Sequence, residues 1–384
     1  TSGTDFYGAE MTFGTETENS VEYTDSSAFE FDYGSGTITG YTGSDTDVVI
    51  PERIGGVKVE AIGSAAFGNS NITSVVIPEG VTSIGSSAFE GCDLLASVTI
   101  PEGVTSIDVY AFNYCDNLKS IIIPGSVKVW EYAFYGCTGL ESVEIKEGAE
   151  KVGEYAFGNC TALTSVTIPE SVTRIDDSAF YGCCKLTGVT IPENTKNIGN
   201  YAFSGCKMLE SITIPDSVTS IGTQAFYNCS NLNSVVIGSD NGTVGTSAFA
   251  GCIKLESVEI KEGVKSIGAS AFKNCIALKE ITLPKGIESI DSTAFSGTNI
   301  ERVYCYRGGA ADNAGLYPEG AEIVYLGDEV NTETTTSAHS GEMGTPEKGK
   351  TYSVDFGMLT AGDKLNGWRT DDGIINVVSA VDQA

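Results

Sequence analysis

The sequence is poor in the residues that carry chemistry. Its 384 residues include one histidine, His339. Catalysis of the Ser-His-Asp or Cys-His kind needs a positioned imidazole. His339 lies in the polar run Asn331 to Ser340, which reads as a linker, and a tethered, mobile imidazole is a poor base. There is no phosphate-binding glycine loop and no His-rich metal motif, so no catalytic residue, metal site or cofactor is expected. No apolar run approaches the ~18 residues of a membrane-spanning helix, so direct membrane insertion is not expected. Positive charge is also scarce: 22 Lys and Arg stand against 51 Asp and Glu, a formal net charge of −29. Residues 1–48 hold 10 acids and no Lys or Arg, and residues 328–384 hold 10 acids and 4 bases. Such a surface repels phosphate backbones and anionic lipid, which excludes nucleic acid as a partner. The acidity otherwise reads as solubility. The chain starts at Thr1 without a basic n-region, so any secretion signal is expected to have been removed already.

What is abundant is repetition. The dipeptide Ala-Phe recurs with Phe at 67, 89, 112, 134, 157, 180, 203, 226, 249, 272 and 295; eight intervals are 23 residues and two are 22. A fixed period of this size is the signature of a solenoid. In Ser97-Val98-Thr99-Ile100 apolar residues alternate with small hydroxyl residues, the pattern of a half-buried strand. Proline follows that strand in eight coils, Pro101 and Pro124 among them, and ends the ladder because it has no N–H to donate. Val104 and Ile107 then point inward, and Ala111-Phe112 fill the centre. Two residues after the Phe stands Gly or Asn in ten of eleven coils, Tyr114 being the exception. These residues tolerate the left-handed conformation best, so φ > 0 is expected there.

One coil cannot bury its own Leu, Val, Ile and Phe, but stacked coils can. The expected fold is an α/β-type repeat solenoid of eleven 22–23-residue coils, with a sheet of short strands on one face and turns or short helical segments on the other. The expected organisation is an acidic segment over 1–28, the solenoid over 29–327, a Thr/Glu-rich linker over 328–350 and an unassigned, possibly truncated β segment over 351–384. A hairpin from Phe29 to Tyr41 caps one end and Ile300 to Leu326 the other.

The repeated phrase resembles the BspA-like, Treponema-type leucine-rich repeat, a 23-residue class of bacterial surface proteins. That resemblance covers roughly residues 29–327. It implies a secreted or cell-surface protein that recognises or adheres to a host or bacterial surface protein or glycan, without a shared catalytic residue set. The competing reading is a structural spacer that presents another domain.

Nine of the eleven cysteines lie three residues after the repeat Phe, at 92, 115, 137, 160, 183, 206, 229, 252 and 275; Cys184 and Cys305 are the others. Neighbouring ladder cysteines should stand ~4.8 Å apart with parallel Cβ vectors, whereas a disulfide wants Cβ atoms ~3.8 Å apart and converging. Buried free thiols donating to backbone carbonyls are expected, with at most Cys184 and Cys305 open to reagents. The acids after each strand, such as Glu79, Glu102 and Glu147, recur because the turn recurs and read as a solvated edge.

Two surfaces are candidates for binding. One is aromatic: Tyr110, Tyr132, Tyr155 and Tyr201 stand two residues before the buried Phe, Tyr135, Tyr181 and Tyr227 one residue after it, and Trp130 stands where other coils have Gly or Asp; the shelf is expected from Tyr110, Trp130, Tyr132, Tyr135 and Tyr155. Coil four is one residue short, and Trp130 is expected to protrude beside those tyrosines as a shelf. The alternative is the outward sheet face, with Thr99, Ile122, Glu144, Thr167 and Thr190.

Overall fold

The computed structural model describes residues 22–127 and 130–326. The linker with His339, the segment 351–384 and residues 1–21 of the acidic segment 1–28 lie outside the described residues. The coils are numbered here by their phenylalanines, from Phe67 in coil one to Phe295 in coil eleven.

Each coil has three sides. The first is the predicted strand. Ser120–Ile123 and Ser142–Ile145 pair in parallel, Ile121 against Val143 and Ile123 against Ile145, with these four apolar residues buried. The second side is a pair of residues in parallel register, as Ser83–Ile84 on Ser106–Ile107 and Ser220–Ile221 on Thr243–Val244, whose Ile or Val points inward. The third side carries the Phe. No α-helix forms among the described residues; the only helical pieces are 3₁₀ turns at Ser26–Ala28 and Ala314–Leu316. Of the two forms expected for this side, turns or short helical segments, consecutive turns form, and the α/β-type label is corrected to a solenoid of strands and turns.

Backbone conformation explains that correction. The residue two after the Phe has positive φ in all eleven coils, Tyr114 (55°) included. The residue two before the Phe also has positive φ in ten coils, and there it is Ala, Ser, Gln or Tyr, never Gly or Asn. A helix needs consecutive right-handed residues, so left-handed residues on either side of each Phe break it into turns. Hydrogen bonds hold the strained residues: in coil five the Tyr155 N–H donates to Asp177 O of the next coil at 3.0 Å, and Tyr155 O accepts from Gly158 N–H at 3.0 Å.

The interior consists of columns. The eleven Phe rings stack coil on coil at centroid separations between 4.9 and 5.6 Å and interplanar angles of 14° or less. Tyr41 closes the column on Phe67 at 5.2 Å and Tyr317 closes it on Phe295 at 5.5 Å. Tyr41 comes from the hairpin Phe29–Asp32 with Thr37–Tyr41, whose second strand pairs with Ala61–Ile62. At the other end Arg302–Cys305 and Glu322–Tyr325 extend the sheet in parallel. Beside the Phe column runs the thiol row. Each of the nine ladder cysteines donates from Sγ to the carbonyl of the preceding coil's Phe, at 3.1 to 3.3 Å. Burial pushes the Cys160, Cys183, Cys206, Cys229, Cys252 and Cys275 thiols up, so they stay protonated and unreactive. Of the two cysteines allowed as reactive, Cys305 is buried and Cys184, alone among the eleven, is partly exposed.

Candidate functional site

Trp130 does not protrude. Its side chain is 0% exposed and its ring packs edge-on to Phe157, with centroids 5.6 Å apart. The expectation of a ring at the corner counted positions from the Phe. Counted from the proline, Trp130 lies six residues after Pro124, as inward-facing Ile84 follows Pro78, Ile107 follows Pro101 and Ile175 follows Pro169. Its carbonyl nonetheless accepts from Ala133 N–H at 3.4 Å, as Asp108 O accepts from Ala111 N–H in coil three. The short coil thus merges two jobs in one residue: an inward apolar side chain and a turn carbonyl. Burial leaves the indole Nε1 without a hydrogen-bond partner. Trp130 belongs to the core and is removed from the ligand-facing set.

The tyrosines do form a surface cluster. Tyr132 stacks on Tyr155 at 4.7 Å and 16°, and tilts against Tyr110 at 5.2 Å. Tyr135 packs at 6.0 Å from each of Tyr132, Tyr155 and Tyr114. Tyr155 meets Tyr181 at 6.3 Å. Six rings from coils three to six therefore touch in one patch, with Tyr110, Tyr114 and Tyr181 exposed and the other three half-buried. Left-handed backbone positions Tyr110, Tyr132 and Tyr155, at φ 62°, 54° and 49°. That conformation, repeated at the same register, turns their side chains outward while the Phe two residues on turns inward. Inter-coil spacing then brings successive rings into contact.

Details of the patch favour rigidity. Tyr135 Oη accepts from Asn159 Nδ2 at 2.8 Å. Tyr114 crosses above Gly136, where an added Cβ would come within 2.5 Å of its ring, so glycine at 136 makes room for the aromatic neighbour. Burial, then the neighbouring Glu154 carboxylate, push the Tyr132 phenol up to about 12, so it remains a neutral donor at physiological pH. Tyr114 and Tyr181 complete the patch although the sequence reading had left them out of the shelf. The available signal for Tyr114 was its place as the exception among the Gly and Asn residues of the turn.

The sheet face is less continuous than its sequence suggests. Thr99, Ile122 and Thr167 are exposed and Glu144 is half-exposed, capped by Lys146 at 2.6 Å. Thr190 is exposed but lies outside any strand, because Gly188 takes the place of the usual Ser and the ladder lapses over 187–191. The acids on the strand-following edge are tied to neighbouring coils: Asp216 accepts from Ser239 N–H and pairs with Lys261, each at 3.0 Å, and Glu262 accepts from Lys285 N–H at 3.1 Å. Among the described residues no group of His, Cys, Asp and Glu is arranged to hold a metal, and no helix is long and apolar enough to cross a membrane.

The sequence matches the BspA type leucine rich repeat region in six copies, over residues 60–184, 128–256 and 242–307. No curated protein matches it. Among solved structures it is similar to a leucine rich cell surface protein from Faecalibacterium prausnitzii, with 31% identity, 83% of this chain and 98% of that chain covered, and a TM-score of 0.48. It is similar to a leucine-rich repeat protein from Bacteroides ovatus at 26% identity, covering 78% of this chain and 97% of that one, with a TM-score of 0.53. The pneumococcal vaccine antigen PcpA shares the fold at 21% identity, with 73% and 79% covered and a TM-score of 0.51. With matches spanning well over half of its length, this chain belongs to the BspA-type leucine-rich repeat family.

Proposed function

We propose that this chain is a non-catalytic recognition module displayed outside a cell. Its contact surface is the tyrosine face of coils three to six, which engages a surface protein or glycan of a host or of another bacterium. The observation that supports this reading is the patch itself. Where the patch has Tyr110, Tyr132 and Tyr155, other coils have Ala65, Ser87, Gln224, Ser247 and Ser270 with the same positive φ. The fold therefore tolerates small or polar residues there and does not demand rings. Rings held by mutual packing offer a large contact area with little side-chain entropy to lose, which is why tyrosine is enriched where proteins bind. Display outside a cell is supported by family membership and by the surface description carried by the Faecalibacterium relative.

The test is a titration of the purified chain against a panel of matrix proteins and glycans, repeated with Tyr132→Ser, Tyr155→Ser and Glu144→Gln. We expect the two tyrosine variants to weaken binding of the retained ligand about tenfold or more, as interface aromatics do, and Glu144→Gln to leave it unchanged. Full binding by both tyrosine variants, with loss on Glu144→Gln, moves the site to the sheet.

A further inference from the structure

Next to the tyrosine patch lies a groove of about 390 Å³ lined by Glu154, Tyr155, Asp177, Ser178, Asn200, Tyr201 and Thr223. Its geometry comes from one gap in a row. At the left-handed position before the Phe, coil five has Tyr155 and coil seven has Tyr201, but coil six between them has Ser178. Two coils span roughly 10 Å, so the missing ring leaves a slot wide enough for one side chain between two others. Tyr155 is stacked on Tyr132 through one face, and on the coil-six side only Tyr181 meets it, tilted by 59° at 6.3 Å rather than stacked. Tyr201 is 39% exposed.

The chemistry of the slot is anionic. Ser178 is only 2% exposed, so the floor of the slot is a small buried side chain. Asp177 accepts from Asn200 N–H at 2.8 Å and from Asn200 Nδ2 at 3.0 Å, which fixes its carboxylate without neutralising it. The adjacent Asp176 is held by Lys151 and Arg174, whereas neither Asp177 nor Glu154 has a cationic partner among the described residues. A cation over an aromatic face gains from the ring quadrupole, and a guanidinium is flat enough to lie against a ring while donating to carboxylates. We infer that the slot between Tyr155 and Tyr201 is a subsite for an arginine side chain of a basic protein segment, with Glu154 and Asp177 as its carboxylate partners. This deepens the reading of the tyrosine face as the contact surface and rests on it.

The probe is a fluorescent hexa-arginine peptide titrated against the full chain at low salt, with hexa-citrulline as its uncharged counterpart. Ser178→Tyr fills the slot with a residue that the coils on either side already carry at the same φ, and leaves the charge untouched. Ser178→Tyr and Glu154→Gln should each weaken hexa-arginine binding at least about fivefold, and hexa-citrulline should not bind. Glu259→Gln, the same loss of charge on the distant sheet face, should change it less than about twofold. The inference is overturned if Ser178→Tyr binds like the parent, if Glu154→Gln and Glu259→Gln lose equally, or if chitohexaose displaces the peptide. Should Tyr132→Ser abolish binding of a panel ligand while Ser178→Tyr leaves hexa-arginine binding intact, the slot fails and the tyrosine face stands. Should Ser178→Tyr and Glu154→Gln block the peptide while Tyr132→Ser leaves every panel ligand bound, the slot stands and the wider face fails.

Discussion

Two aromatic rows run along the same edge of this solenoid, two residues apart in sequence, and they obey different rules. The inner row is Phe in all eleven coils, capped by Tyr41 and Tyr317. The outer row is Tyr in only four coils, Tyr110, Tyr132, Tyr155 and Tyr201, and small or polar elsewhere. An interior column tolerates no substitution, because each ring is a wall for the next and a missing one leaves a cavity on both sides. The outer row has solvent as an alternative neighbour, so its residues are free to vary with what the surface contacts. In a repeat protein, uniform positions report stability and locally interrupted positions report function.

The largest expected effect comes from the inner thiol row. Unfolded thiols ionise near 8.5, while burial holds those of Cys183, Cys206 and Cys252 above that value in the folded chain. A raised folded pKa contributes stability that is full below the unfolded value and lost as pH rises past it. Each of these thiols should cost about 1 kcal/mol at one pH unit above, so the three together should cost several kcal/mol. Urea unfolding at pH 7.5 and 9.5 checks this: the midpoint should fall sharply at the higher pH, and less so in Cys183→Ala. A midpoint that holds or rises would refute the picture of the row.

Single residues should then rank by row. Phe180→Ala removes a ring buried at both coil interfaces and should cost about 3–5 kcal/mol. Tyr155→Ala should cost about 1 kcal/mol, the value of one stacked, half-buried pair. Thr190→Ala, exposed and outside any strand, should stay within about 0.5 kcal/mol. One urea series over the three variants settles the order, and equal losses for Phe180 and Tyr155 would erase the distinction between the rows. The smallest effect expected is a single label: of the eleven thiols only Cys184 should react with a thiol reagent before denaturation. Fast labelling at Cys183 or Cys206 would mean that the row opens in the native state.

Much of the fold was legible because its causes are local. The Phe period, the strand alternation, the prolines and the left-handed turn at Asn69, Gly91 and Asn159 are all written in residue type. The second left-handed position was hidden, because inter-coil hydrogen bonds rather than Gly or Asn hold it there, and Tyr132 or Ser178 looks ordinary in the sequence. The hidden turns also decided between the two forms expected for that side, turns or short helical segments, in favour of turns. Trp130 was misplaced because a coil one residue short has two registers. The Phe count and the proline count disagree there, and burial follows the proline. Tyr114 was missed, and Tyr181, though read as outward-facing, was left out of the shelf, because membership of a patch depends on which rings meet across coils, and spacing alone does not give that.

The separation of the rows is tested most directly by measuring stability and binding on one sample. In a chain carrying Tyr110→Ser, Tyr132→Ser and Tyr155→Ser together, residues already found at that register in other coils replace three rings of the face. The account predicts a urea midpoint lowered only modestly, an unchanged circular dichroism spectrum, and loss of binding to the ligand that the panel retains. A folded triple variant that binds as tightly as the parent would contradict it.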